Sequence, residues 1–175
     1  MRRNFLTGIY IAILLFTIYI LQLYLINPRE LFGIKPNLIL IVVIVVSLWY
    51  GVHVGGISSL LIGFLTDILF GSNNGMFTIS YTIVGIIVGI LNDNYRKESK
   101  MSLVYVTIIA TFSFEIVQFF QYILLYKVGL SLVYLIKQIV ISSLLNIVIV
   151  YIVYSLMYNL SEYIEERITK KSSGF

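Results

Sequence analysis

The chain has no cysteine, two prolines and one histidine in 175 residues, and only 11% of its residues are charged. Without thiols there is no disulfide, no thiolate metal site, no cysteine nucleophile and no S-palmitoylation, and the lone His53 cannot build a histidine cluster. Charge at less than half the usual share of a soluble domain excludes a water-soluble globule. What is present is apolar: 59% of the residues, with a mean hydropathy of +0.98. The apolar runs are continuous and do not alternate, which excludes outer-membrane strands and leaves α-helical spans. Six spans of about 20 residues would use roughly 120 residues, so no separate soluble domain fits beside them. The net charge of +4 comes from basic residues at the ends of apolar runs, a pattern of membrane orientation that calls for no nucleic acid.

The expected architecture is therefore an all-α integral membrane protein, a compact bundle of about six transmembrane helices in a single domain covering 1–175. Met1-Arg2-Arg3-Asn4 before the apolar run Phe5 to Ile26 has the look of a secretion signal, but 22 residues span a bilayer and no cleavage pattern follows, so the run reads as a retained first helix. Pro36 stands where proline opens a helix. The cluster Trp49-Tyr50-Gly51-Val52-His53-Val54-Gly55-Gly56 reads as an interfacial turn, which places spans at 37–50 and 54–70, with a tilted or re-entrant arrangement as the alternative because 37–50 is short for a span. Further spans are expected at 76–91, 101–126 and 132–159, followed by an amphipathic tail over 160–171 lying near the membrane surface. With the amino terminus inside, Arg2, Arg3, Arg96, Lys97, Lys100, Arg167, Lys170 and Lys171 fall on the cytoplasmic side, against Arg29, Lys35 and Lys127 outside. That asymmetry satisfies the positive-inside rule and puts both termini in the cytoplasm.

Three features stand out as candidate functional positions. Small residues recur every fourth position at Gly51, Gly55, Ser59 and Gly63, and again at Gly85 and Gly89. This spacing lets helix backbones approach closely, either within the monomer or against a partner helix. Asp67 ends the first ladder, and an ionisable group inside a span needs a partner. Lys137 stands at a comparable depth and is the expected counter-ion, with snorkelling to the headgroups as the alternative role for that lysine. Thr107, Thr111, Glu115, Gln118 and Tyr122 form a polar stripe that faces Gln138, Ser142 and Asn146 on the last span. The expected result is an intramembrane polar network of Asp67, Lys137, Glu115, Gln118, Gln138, Ser142 and Asn146, structural in one reading and a proton relay or small polar ligand site in the other. No nucleophile with its base, phosphate loop, metal site or cofactor motif is present, so no enzyme is expected. His53 receives no role.

The segments Lys35-Pro36-Asn37-Leu38, Gly51-Val52-His53-Val54-Gly55 and Gly63-Phe64-Leu65-Thr66-Asp67-Ile68-Leu69-Phe70-Gly71, with Gly75, resemble the rod shape-determining protein MreD family. Phe64 and Thr66 stand where that family often has leucines. The resemblance implies a non-enzymatic scaffold of the bacterial cell-elongation machinery in the plasma membrane, contributing to lateral peptidoglycan synthesis. It further implies that the chain binds MreC through its small-residue faces and works beside MreB, RodA and a class B penicillin-binding protein. The family is also similar in helix arrangement to substrate-binding subunits of energy-coupling-factor vitamin transporters. Gly8-x-x-x-Ala12 resembles their docking motif, which supplies a transporter subunit as the alternative function, and an ion or proton carrier using Asp67 and Glu115 ranks last.

Overall fold

A computed structural model describes residues 17, 20–22, 34, 36–70, 75–92, 100–127 and 131–172. Four helices carry them: α1 (Leu38–Phe70), α2 (Met76–Leu91), α3 (Lys100–Tyr126) and α4 (Leu132–Ser172). Three of these contain stretches long and apolar enough to cross a membrane, at Leu38–Leu69, Met101–Tyr126 and Leu132–Val153, and Met76–Leu91 is a shorter apolar helix.

Six separate spans are not what the described residues show. The expected spans 37–50 and 54–70 belong to one element that is interrupted at Gly51, whose φ of 77° and ψ of −174° are not helical. The chain reverses there. A Cβ built on Gly55 would stand 2.9 Å from the Cα of Ser47, although residues eight apart in a straight helix are separated by about 12 Å along the axis. α1 is thus a hairpin with arms 38–50 and 52–70. Glycine is required at the reversal because a positive φ is strained for other residues. Most of the expected first span, 5–26, lies outside the described residues.

The arm 38–50 is the centre of the bundle. Residues 39–48 are all buried, which matches a segment apolar on every side. Leu40, Ile41, Val43, Ile44, Val45 and Leu48 join Tyr81, Val84, Val88, Val106, Ala110, Phe114 and Val150 in one core cluster. The returning arm 52–70 buries only Gly55, Ser59, Gly63, Thr66 and Asp67 and exposes Ile57, Leu61, Phe64, Leu65 and Ile68. Contacts between consecutive elements run antiparallel: Gly63 against Thr78 and Gly89 against Val52, Tyr81 against Phe114, Thr111 against Asn146.

The tail, read as an amphipathic extension, is helical and continuous with the last span. Residues 160–171 continue the last helix without a break, and α4 is one element of 41 residues, about 60 Å long. Its apolar part, Leu132–Val153, accounts for about 33 Å, close to the thickness of a hydrocarbon core.

Candidate functional site

The two small-residue ladders meet each other. A Cβ on Gly63 would lie 2.6 Å from Thr78 Cα, one on Gly85 would lie 2.8 Å from the Gly55 carbonyl oxygen, and one on Gly89 would lie 2.8 Å from the Val52 nitrogen. Gly85 also abuts the Ser59 side chain, and Gly51 lies beside Asn92. Small residues at these levels let main chain approach main chain, which replaces the hydrophobic drive that lipid removes. The faces of Gly55, Ser59, Gly63, Gly85 and Gly89 are consumed inside the protein. Of the two readings of the ladders, packing within the monomer is the one this geometry occupies, since an added methyl group finds no room in the seam.

Asp67 finds a partner other than the one expected. Its carboxylate accepts hydrogen bonds from the Phe77 amide (3.0 Å), the Thr78 amide (2.8 Å) and the Thr78 hydroxyl (2.6 Å). It closes the start of α2, where Gly75 supplies no side-chain cap of its own. An anion at a helix amino terminus satisfies orphaned N–H groups and complements the helix dipole, together worth about 1–2 kcal/mol. Lys137 is exposed on α4 and makes no ion pair with Asp67. The reason is geometric: two amides and a hydroxyl already surround the carboxylate.

The remaining polar residues lie along the α3–α4 seam and around Asn37. Glu115 on α3 stands beside Ser142 and Gln138 on α4. One turn away, the Asn146 amide donates to the Thr111 hydroxyl at 3.2 Å, and the Asn146 oxygen accepts from the Asn37 main-chain N–H at 3.3 Å. Asn37 in turn accepts from the Tyr81 hydroxyl at 3.0 Å and, as a cap of the central arm, from the Leu40 amide at 2.9 Å. Gln22 completes the set by accepting from the Leu38 amide at 2.7 Å and donating to the Pro36 carbonyl at 3.2 Å. Gln118 belongs to a separate group, donating to the Ser80 hydroxyl at 3.2 Å, with Gln121 Oε1 3.0 Å from that same hydroxyl. Asp67 and Lys137 therefore stand apart from Glu115, Gln138, Ser142 and Asn146, which all lie along the α3–α4 seam.

Sequence reasoning passed over Asn37, Tyr81, Gln22, Ser80 and Gln121 as site residues. Asn37 is the most consequential of these, because its main chain and side chain link the central arm to α2 and α4. The available signal was its place just after Pro36, where a helix inside an apolar region needs a cap. His53 is exposed, as are the apolar residues around the returning arm. No group of three or more metal-binding side chains is found among the described residues. Buried amides and hydroxyls that bond one another can fix helix register and orientation, and the Gln121 amide nitrogen, Ser47 Oγ and Ser143 Oγ stand buried without a hydrogen-bond partner.

A family model described as rod shape-determining protein MreD matches residues 1–164. The chain belongs to the MreD family. No match to a curated protein or to a solved structure accompanies it, so the expected likeness to energy-coupling-factor subunits is without support. For an MreD-family chain, membership carries a role in determining rod shape, and the apolar helices agree with a membrane protein. The match begins at the first residue and includes Pro36, Asn37, both ladders, Asp67 and the α3–α4 network.

Proposed function

We propose that this protein is a non-enzymatic scaffold of the machinery that inserts peptidoglycan along the side wall of a rod-shaped bacterium. The observation that carries this reading is the family match over residues 1–164. It works by binding: the single-span protein MreC is its direct partner, with MreB, RodA and a class B penicillin-binding protein in the same assembly. The ladders are engaged within the bundle, so partners dock on its outer faces. The protein sits in the plasma membrane with both termini in the cytoplasm, as the charge asymmetry of the loops favours. An even number of crossings is then required, and the reversal at Gly51 contributes two arms to that count. Depletion in a rod-shaped host is the test. Cells are expected to round up and to lose MreC from the side wall, and re-expression should restore both; rods that keep their shape and their MreC distribution after depletion would overturn the proposal.

A further inference from the structure

The helices of this bundle do not share one height. α2 has 16 residues and rises about 24 Å, and the buried arm 38–50 of α1 rises about 20 Å. The apolar part of α4 has 22 residues, about 33 Å, and that of α3 has 26, about 39 Å. A hydrocarbon core is about 30 Å thick, so the α1–α2 half of the molecule is too short for it and the α3–α4 half is long enough. The buried arm carries a second sign of the same step. Its cap, Asn37, lies beside Asn146, which is already about 21 Å along α4 from Leu132.

The short half is pinned at both ends. At one end the Asp67 carboxylate is bonded to the Phe77 and Thr78 amides, and the sequence between them turns polar at Ser72-Asn73-Asn74. At the other, Gly51 lies against Asn92, and His53 is exposed beside the reversal. From His53 to Asp67 the returning arm rises about 21 Å. The exposed residues of that arm from Val54 to Leu69 are all apolar, as are the exposed residues of α2, Ile79, Ile86 and Ile90. Close contact of Gly63 with Thr78 and of Gly89 with Val52 prevents the two helices from sliding apart to gain height. A helix longer than the hydrocarbon core can tilt until its height matches, but a short one cannot stretch, and the lipid gives way instead. In a bilayer of full thickness the polar ends of α1 and α2 would be drawn into hydrocarbon, which costs free energy. We propose that the face made by the returning arm and α2 thins the bilayer beside it by about 6 Å and so prefers phospholipids with short acyl chains, while the α3–α4 face takes lipids of ordinary length.

This preference needs only a chain that crosses a bilayer, whether or not the scaffold reading holds. The full chain, with Trp49→Phe to remove its single tryptophan, is reconstituted into phosphatidylcholine vesicles carrying one new tryptophan, Leu61→Trp on the returning arm or Leu144→Trp on α4, both at exposed positions. Quenching by brominated phosphatidylcholine is read in competition with unbrominated lipid of short (about 14-carbon) or long (about 22-carbon) chains. At position 61 the short lipid should displace the brominated one at least about twofold better than the long lipid does, and at position 144 that preference should vanish or reverse. Equal competition at the two positions, or a tryptophan at 61 that brominated lipid fails to quench because another helix covers it, would overturn the proposal. Should the substituted chains not fold, the unsubstituted protein decides. Its unfolding midpoint should drop by several degrees from the short-chain to the long-chain bilayer, and a midpoint that stays level or rises sinks the idea.

Discussion

Between the returning arm of α1 and α2, main chain lies against main chain, and a methyl group at Gly63 or Gly85 would meet backbone atoms at 2.6–2.8 Å. Between α3 and α4 polar side chains meet: Asn146 bonds Thr111, and Glu115 stands beside Ser142 and Gln138. The first seam depends on volume and the second on hydrogen bonding. Both answer the same difficulty, that apolar helices in lipid gain little from merely touching. A volume seam is short-range and unforgiving, whereas a polar seam survives small changes of shape and fails when a partner is left unpaired.

The largest expected effect breaks the volume seam. Gly85→Val or Gly63→Val should destabilise the bundle by about 3 kcal/mol, the upper end for overpacking, read as the midpoint of unfolding when a mild detergent is titrated with a denaturing one. A conservative polar change should be tolerated far better on the α3–α4 side. Next comes the cap: Asp67→Ala should cost about 2 kcal/mol by stripping three hydrogen bonds from the start of α2, and Asp67→Asn about half as much because one acceptor remains. Hydrogen exchange at Phe77 and Thr78 would report the same loss locally. Third, Asn146→Ala should cost about 1 kcal/mol, the typical worth of an interhelical hydrogen bond in a membrane protein. Glu115→Gln should change stability by less than about 1 kcal/mol, since an amide keeps an acceptor beside Ser142 and Gln138 without the cost of burying charge, and it should leave cell shape intact. A proton relay through this position would instead make that variant inactive. The smallest effect has the opposite sign. Lys127 closes α3 with a φ of 52°, so Lys127→Gly should stabilise by up to about 1 kcal/mol in the same titration.

Much of the helical character was open to a reader of the sequence, because long apolar runs and glycine spacing are local patterns. Gly51 sits in an aromatic and glycine-rich cluster that signals a turn, and the backbone does reverse there. Long-range pairing was less accessible. Asp67 was expected to meet a lysine because side-chain charges are what a sequence displays, whereas its partners are two backbone amides and a hydroxyl some ten residues on. Asn37 and Asn146 stand alone in apolar surroundings 109 residues apart, and no local window joins them. At the end of α4 only the change of environment was legible. Composition changes near Asn159 from apolar to charged, which marks an exit from the hydrocarbon, but Glu, Lys and Leu are all good helix formers and the backbone has no cause to stop. The same polar residues would have been hard to rank, since one lone amide looks like another until its neighbours are known.

The central arm has a consequence for how the protein is made. Asn37 enters the lipid phase early in synthesis, yet Asn146, which accepts from its backbone, leaves the ribosome only after more than a hundred further residues. Until then the first half of the molecule holds an unmet polar group beside its most enclosed segment. The last helix therefore supplies the acceptor that the start of the central arm lacks until residue 146 is in place.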